Sequence, residues 1–160
     1  MISLDIINQI TDYERYNVYV LACKPNSLLE ITKSLQEQSI PVINVGKTLA
    51  EHLSKIRRIK HLHLEAEDQF KRLIDTNAKK LSSEKPPVIA IFNLGILLEP
   101  AVCIDVAKII KELSKSYAII IIWDGQTDTS EILHWGTQKE KFQLNFTDTH
   151  LKQVNISYEI

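Results

Sequence analysis

Four short apolar runs, Val18 to Ala22, Ile40 to Val45, Val88 to Phe92 and Tyr117 to Trp123, punctuate the chain. Between them, apolar residues recur at helical spacing. The runs VYVLA, VIAIF and YAIIIIW show no polar alternation, the mark of strands covered on both faces. The run from Ile40 is opened by Pro41, which suits a strand start or an edge. Strands alternating with helices imply right-handed βαβ crossovers. The sequence therefore predicts an α/β fold of three layers around a mainly parallel sheet. Its 160 residues suit one domain over 1–160 with a sizeable core.

The helical stretches have identifiable buried stripes. Leu28, Ile31 and Leu35 form the first, with Leu29 widening it and Asn26 or Ser27 as the cap. A second helix is expected over Leu49 to Ile56. A long one follows over Leu64 to Leu81, with Phe70, Leu73, Ile74, Ala78 and Leu81 inward. Ser82 to Pro87 is a clear break. Pro100 suits the first turn of a further helix, with Val102, Val106, Ile109, Ile110 and Leu113 on its buried side. Ile2 to Gln9 reads as a lead-in helix. Phe142, Leu144 and Phe146 alternate, as do Leu151 to Ile156 in part, so the C-terminal tail is expected to be short and β-rich.

The formal net charge of −1 provides no global field toward nucleic acid or an anionic membrane. Cys23 and Cys103 lie in apolar surroundings without C-x-x-C spacing, so they read as buried free thiols in a reducing compartment. The first residues lack a basic n-region, and no apolar run approaches the roughly 20 residues that span a bilayer. A cytoplasmic location without membrane contact is the expectation.

In an open parallel sheet, ligands bind at the carboxyl ends of the strands. The polar groups expected there are Lys24, Asn26 and Ser27, then Asn93, then Asp124. The turn Cys23 to Ser27 contains no glycine, whereas a phosphate loop needs glycines to aim successive backbone N–H groups at the anion. Lys24 also reads as a surface lysine in a turn, and Asp124 as a turn residue before Gly125. Gly46, Lys47 and Thr48 look like the tail of a phosphate loop, but Val42 to Val45 before them reads as strand. The plainer account is a strand end, a turn glycine and a threonine cap. Lys55, Arg57, Arg58 and Lys60 form a basic segment that offers nucleic-acid contact or a solvated helix face. His61 and Glu65 would be helical neighbours, and no spacing here points to a metal. No nucleophile elbow is present, and no catalytic residue is assigned.

The segment Phe92-Asn93-Leu94-Gly95-Ile96-Leu97-Leu98-Glu99-Pro100, the strand end Trp123-Asp124-Gly125 and the stretch Ile132-Leu133-His134-Trp135-Gly136 occur in an order that resembles the BrxF family. These are small P-loop proteins of type 3 bacteriophage-exclusion (BREX) defence systems. The likeness is one of spacing and short motifs over roughly residues 16 to 142. It implies a P-loop NTPase-like fold in a bacterial anti-phage complex. Leu28 and Leu29 stand where the family would place its phosphate lysine and threonine, and Phe92 and Gly95 stand at its two acidic positions. The resemblance thus implies a degenerate site, with ATP and Mg²⁺ disfavoured. It also implies a non-catalytic subunit that binds a larger protein partner, and nucleic acid only through that partner. Trp135, Phe142, Phe146 and Tyr158 are candidates for an exposed contact surface, with the core as the alternative place for each. The alternatives are a nucleotide-binding ATPase or regulator using Lys24, or Lys47 with Thr48, together with Asp124, and an accessory DNA-binding subunit using the basic segment.

Overall fold

Parallel pairing of the first and last of the four apolar runs forms the middle of the molecule. In the computed structural model, which describes residues 2–3, 10, 15–55, 61–99, 102, 104–124, 126–127, 131–134, 143–149, 151–154 and 157–158, ten strands and four α-helices are seen. In chain order they are β1 (Ile2–Ser3), β2 (Val18–Ala22), α1 (Leu28–Glu37), β3 (Val42–Asn44), α2 (Val45–Leu53), α3 (Leu62–Asn77), β4 (Val88–Phe92) and α4 (Val106–Leu113). There follow β5 (Ala118–Trp123), β6 (Gln126–Thr127), β7 (Ile132–His134), β8 (Gln143–Asn145), β9 (Lys152–Gln153) and β10 (Ser157–Tyr158). The main sheet has the order β3-β4-β5-β2-β9 and is parallel throughout. A small antiparallel sheet, β6-β7-β8, and the pair β1-β10 complete the strands.

Strand side chains alternate between two cores, as a pleat requires. Val18, Val20, Ile89, Ile91, Ile119, Ile121 and Trp123 face α2, α3, α4 and the small sheet. Tyr19, Leu21, Val88, Ala90, Ile120 and Ile122 face α1. The division follows from handedness. The crossover from β2 to β3 runs along the sheet in the direction opposite to those from β3 to β4 and from β4 to β5. With one hand for all crossovers, α1 must lie on the opposite face from α2, α3 and α4. Three layers are the result.

Helix boundaries differ from expectation where local hydrogen bonds override the apolar period. Helix α2 starts at Val45 because the Asn44 side chain accepts from the Lys47 N–H at 2.9 Å. Helix α3 stops at Asn77, as the chain turns extended at Ala78 and Lys79 bridges to Val88. Helix α4 begins at Val106, capped by Asp105, although Val102 is buried as expected. Ile2–Ser3 is strand rather than helix. The rest of that lead-in lies outside the described residues, as does Pro100. Neither Asn26 nor Ser27 caps α1; no side-chain cap bond is made there. His61 and Glu65 are helical neighbours as expected, the Glu65 N–H donating to the His61 carbonyl at 3.1 Å, while the Glu65 carboxylate meets His52 Nε2 at 2.9 Å and ties α2 to α3.

Helix α1 ends in a Schellman arrangement built on a serine. Ser39 sits at φ 64°, its N–H donates to the Gln36 carbonyl at 2.9 Å, and the Ile40 N–H donates to the Leu35 carbonyl at 3.0 Å. Ile40 and Leu35 share the same buried cluster. The left-handed position costs a residue with a Cβ about 1–2 kcal/mol. Ser39→Gly is therefore expected to stabilise the fold by roughly 1 kcal/mol in denaturant titration.

The same helix separates its faces sharply. Ile31 is fully buried, while Leu29 is 81% exposed, so Leu29 does not widen the buried stripe. Ile31→Ala is expected to cost about 2–5 kcal/mol. Leu29→Ala should stay within about 0.5 kcal/mol of wild type in the same titration.

Candidate functional site at the carboxyl end of the sheet

The opposing directions of the crossovers create a switch point between β2 and β5. From β2 the chain leaves toward α1, and from β5 it leaves toward the small sheet on the other face. Adjacent strand ends that diverge in this way leave a crevice between them. A cleft of about 380 Å³ lies there, lined by Cys23, Leu28, Phe92, Asn93, Gly95, Ile122 and Asp124. Its size is at the lower end of the about 300–1,000 Å³ typical of ligand pockets. The Cys23 N–H donates to the Trp123 carbonyl at 2.9 Å, so the β2–β5 ladder extends to the rim of the cleft.

Asn93 and Asp124, two of the strand-end polar residues expected from sequence, thus meet in one cleft. Lys24, Asn26 and Ser27 occupy the neighbouring turn and are not among its lining residues. That turn is a 3-10 helix over Pro25–Ser27. Pro25 has no N–H, the Ser27 N–H donates to the Lys24 carbonyl at 2.9 Å, and the Leu28 N–H donates to the Pro25 carbonyl. Three of the four backbone positions entering α1 thus have no amide directed outward. A phosphate cradle depends on such amides.

Asn93 has a structural task as well. It sits at φ 61°, in the left-handed region that Asn tolerates better than most residues. Its amide Nδ2 donates to Asn44 Oδ1 at 2.8 Å, the same oxygen that caps α2. The ends of β3 and β4 and the start of α2 are thereby joined. Gly46 lies within α2, not in a turn, and its α-carbon faces Asn93 closely. A Cβ built there would lie 2.4 Å from Asn93 Nδ2 and 2.8 Å from the Asn93 backbone oxygen. Lys47 is exposed, and the Thr48 hydroxyl donates to the Asn44 carbonyl at 3.0 Å. The glycine thus packs closely against Asn93 and the lysine is on the surface, while the threonine lies inside α2 and bonds back to the carbonyl four residues earlier, so the cap expected of Thr48 is made by Asn44 instead.

Cys23 is half-buried rather than fully buried, and Cys103 lies outside the described residues. Burial, and then the negative charge of Asp124, push the Cys23 thiol above its ordinary value. Both effects favour the protonated thiol. Leu28, Phe92 and Ile122 supply apolar wall. The resemblance puts Leu28 and Phe92 where that family would have a phosphate lysine and an acidic residue, but the sequence pattern does not mark them as walls of one cavity. Their signal was positional: each stands at a strand end or a helix start. Asn44 was missed, although an Asn between a strand and a helical pattern is a capping signal.

Of the basic segment, Lys55 is exposed just after α2, and Arg57, Arg58 and Lys60 lie outside the described residues. Phe146 is fully buried in the core behind α4, which corrects its candidacy as a surface contact. Trp135 and Phe142 lie outside the described residues. Tyr158 belongs to β10. Among the described residues, no helix is long and apolar enough to cross a membrane, and no group of three or more His, Cys, Asp or Glu side chains is arranged to hold a metal.

No protein-family model matches the chain, and neither a curated protein nor a solved structure matches it significantly.

The Gly46–Asn93 contact makes a direct prediction. Gly46→Ala would ordinarily gain up to about 1 kcal/mol of helix propensity. Here the clash includes a backbone oxygen, which cannot rotate away. A net loss of about 1–3 kcal/mol is expected in thermal or denaturant unfolding.

Proposed function

We propose that the protein is a non-catalytic interaction subunit of a bacterial anti-phage defence complex, built on a P-loop NTPase-like scaffold that has lost its nucleotide motifs. The observation that carries the reading is the closed 3-10 turn after β2, whose Ser27 and Leu28 amides bond within the turn. A phosphate loop in that place would direct them at the anion. The order of the sheet supports the scaffold, since the turn after β2 and the residue after β5 lie side by side at one cleft. A phosphate loop and a sensor residue need that adjacency to share one nucleotide.

The walls of the cleft support the loss of hydrolysis. Phe92 and Gly95 line the cleft where the resemblance would put carboxylates for Mg²⁺ and water. Leu28 lines it where a phosphate lysine would stand, and Leu29 beside it is 81% exposed. Apolar cleft walls suit contact with another protein better than contact with a triphosphate.

The test is calorimetry with ATP and ADP, with and without Mg²⁺, on the wild type, Lys24→Ala and Lys47→Ala. The expected result is no saturable binding by any of the three proteins, together with recovery of a larger protein when the tagged chain is purified from its native cells. Saturable ATP binding that disappears in Lys24→Ala or in Lys47→Ala would overturn the reading.

A further inference from the structure

Helix α4 and its two flanks expose a stripe in which every residue is charged. From Asp105 to Lys115 the exposed positions are Asp105, Lys108, Glu112 and Lys115. Their spacing places them on one face of a helix. Asp105 caps α4 through the Lys108 N–H, and Lys115 follows the last turn, its Nζ 2.9 Å from Glu112 Oε2. The signs run negative, positive, negative, positive. Read backwards, the stripe gives the opposite sign at every position. Two copies laid antiparallel about a two-fold axis therefore set Asp105 against Lys115 of the second copy and Lys108 against its Glu112, and each pair occurs twice.

The surroundings of the stripe suit such a pairing. A groove of about 670 Å³ lies on the small-sheet side of α4 and one of about 340 Å³ on the α3 side, and Asp105, Lys108 and Glu112 line both. The stripe is thus a ridge between two grooves, and helices pack by laying ridges into grooves. Leu97, Leu98 and Ile104 give the larger groove an apolar wall for the aliphatic stems of a second copy's Lys108 and Glu112. The charges need not be vacant. A carboxylate accepts several donors on its two oxygens, so Glu112 can hold its own Lys115 and the Lys108 of a second copy together. Lys115 also keeps the Glu112 carboxyl below its ordinary value, which favours its ionised form.

We propose that this stripe is a self-association surface, on which a second copy of the chain docks antiparallel through its own α4. A parallel arrangement would put Asp105 beside Asp105 and Lys108 beside Lys108. The stripe shares no residue with the cleft between β2 and β5, so the contact is independent of what that cleft binds. Exposed ion pairs set register more than affinity, so the dimer is expected to be weak and salt-sensitive.

Charge reversal tests the register. Sedimentation velocity over a concentration series up to about 0.5 mM, at about 0.05 M and about 0.5 M salt, measures the association. The wild type is expected to dimerise, about tenfold less tightly at the higher salt. Lys108→Glu and Glu112→Lys each oppose like charges twice across the axis, and each is expected to weaken the dimer about tenfold or more at low salt. An equimolar mixture of the two variants opposes unlike charges again at both central pairs. Its affinity should return toward that of the wild type, as should that of the double variant. An acid near the start of α4 and a base near its end suit the helix dipole, so folding is retained, and thermal unfolding checks this. Lys33→Glu and Glu37→Lys make the same changes in net charge on the exposed side of α1, and should leave association unchanged.

A wild type that stays monomeric across the series at low salt would overturn the proposal. So would single variants that dimerise as the wild type does, or a mixture that does not recover the dimer. An equal loss in the α1 variants would also overturn it, because net charge rather than the stripe would then govern association.

Discussion

The parallel pairing of β2 with β5 is the constraint on which the rest of the structure depends. Val18 to Ala22 lies in register with Ile119 to Trp123, and the ladder continues through the Cys23 N–H to the Trp123 carbonyl. Both strands are interior to the sheet, so their apolar side chains are buried on both faces, apart from the exposed Ala22 at the end of β2. Parallel strands cannot be joined by a hairpin, so each must hand the chain to a crossover. Asn17 anchors the start of this pairing. Its backbone N–H and its side-chain Nδ2 both donate to the Ser114 carbonyl, at 3.1 and 3.0 Å, which ties the entry of β2 to the end of α4. The pairing thus fixes both ends of the sheet. One end is clamped by Asn17, and the other opens as the cleft.

The two unequal faces follow from the same pairing. Because β2 reaches β3 only by passing over β5 and β4, its crossover helix α1 covers the opposite face from the other helices. The tail then returns as β9 beside β2, through Tyr19 opposite Lys152 and Val20 opposite Gln153. The Lys152 ammonium lies 5.2 Å from the Tyr19 ring centre, so even the edge added by the tail contacts the central strand. The β-rich tail is thus partly a fifth strand of the main sheet and partly the small sheet that packs Leu133, Leu144 and Phe146 behind α4.

The sequence carried the central strands clearly because each is a continuous apolar run of β-branched and aromatic residues, and burial on both faces leaves no competing pattern. The starts of the helices were harder to read. The apolar period places α2 from Leu49, but the decision lies with one Asn44 oxygen that serves both the Lys47 N–H and Asn93. That second bond joins residues 49 positions apart, which no local pattern can reveal. Asn93 and Asp124 were legible as site residues because strand ends in a parallel sheet converge. The apolar walls were not, since Leu28 and Phe92 fit equally well into a helix stripe and a strand core. Surface and core both stay open for Phe146 from sequence, since alternation shows that one face of a strand is buried but not which face until the partner strand is known.

The turn after β2 and a phosphate loop differ in their local balance of hydrogen bonds. A glycine-rich loop holds several amides open toward an anion, and without that anion they depend on water. Here Pro25 removes one amide and the 3-10 turn satisfies those of Ser27 and Leu28 internally, so the entry to α1 is complete without a ligand. Opposite the turn, an unliganded group of carboxylates would repel one another. Phe92 and Gly95 in the lining are uncharged, and Asp124 is its carboxylate among the described residues. Among the described residues, the cleft combines apolar walls from Leu28, Phe92 and Ile122 with the Asp124 carboxylate, so its shape and its entry into α1 are complete before any ligand arrives.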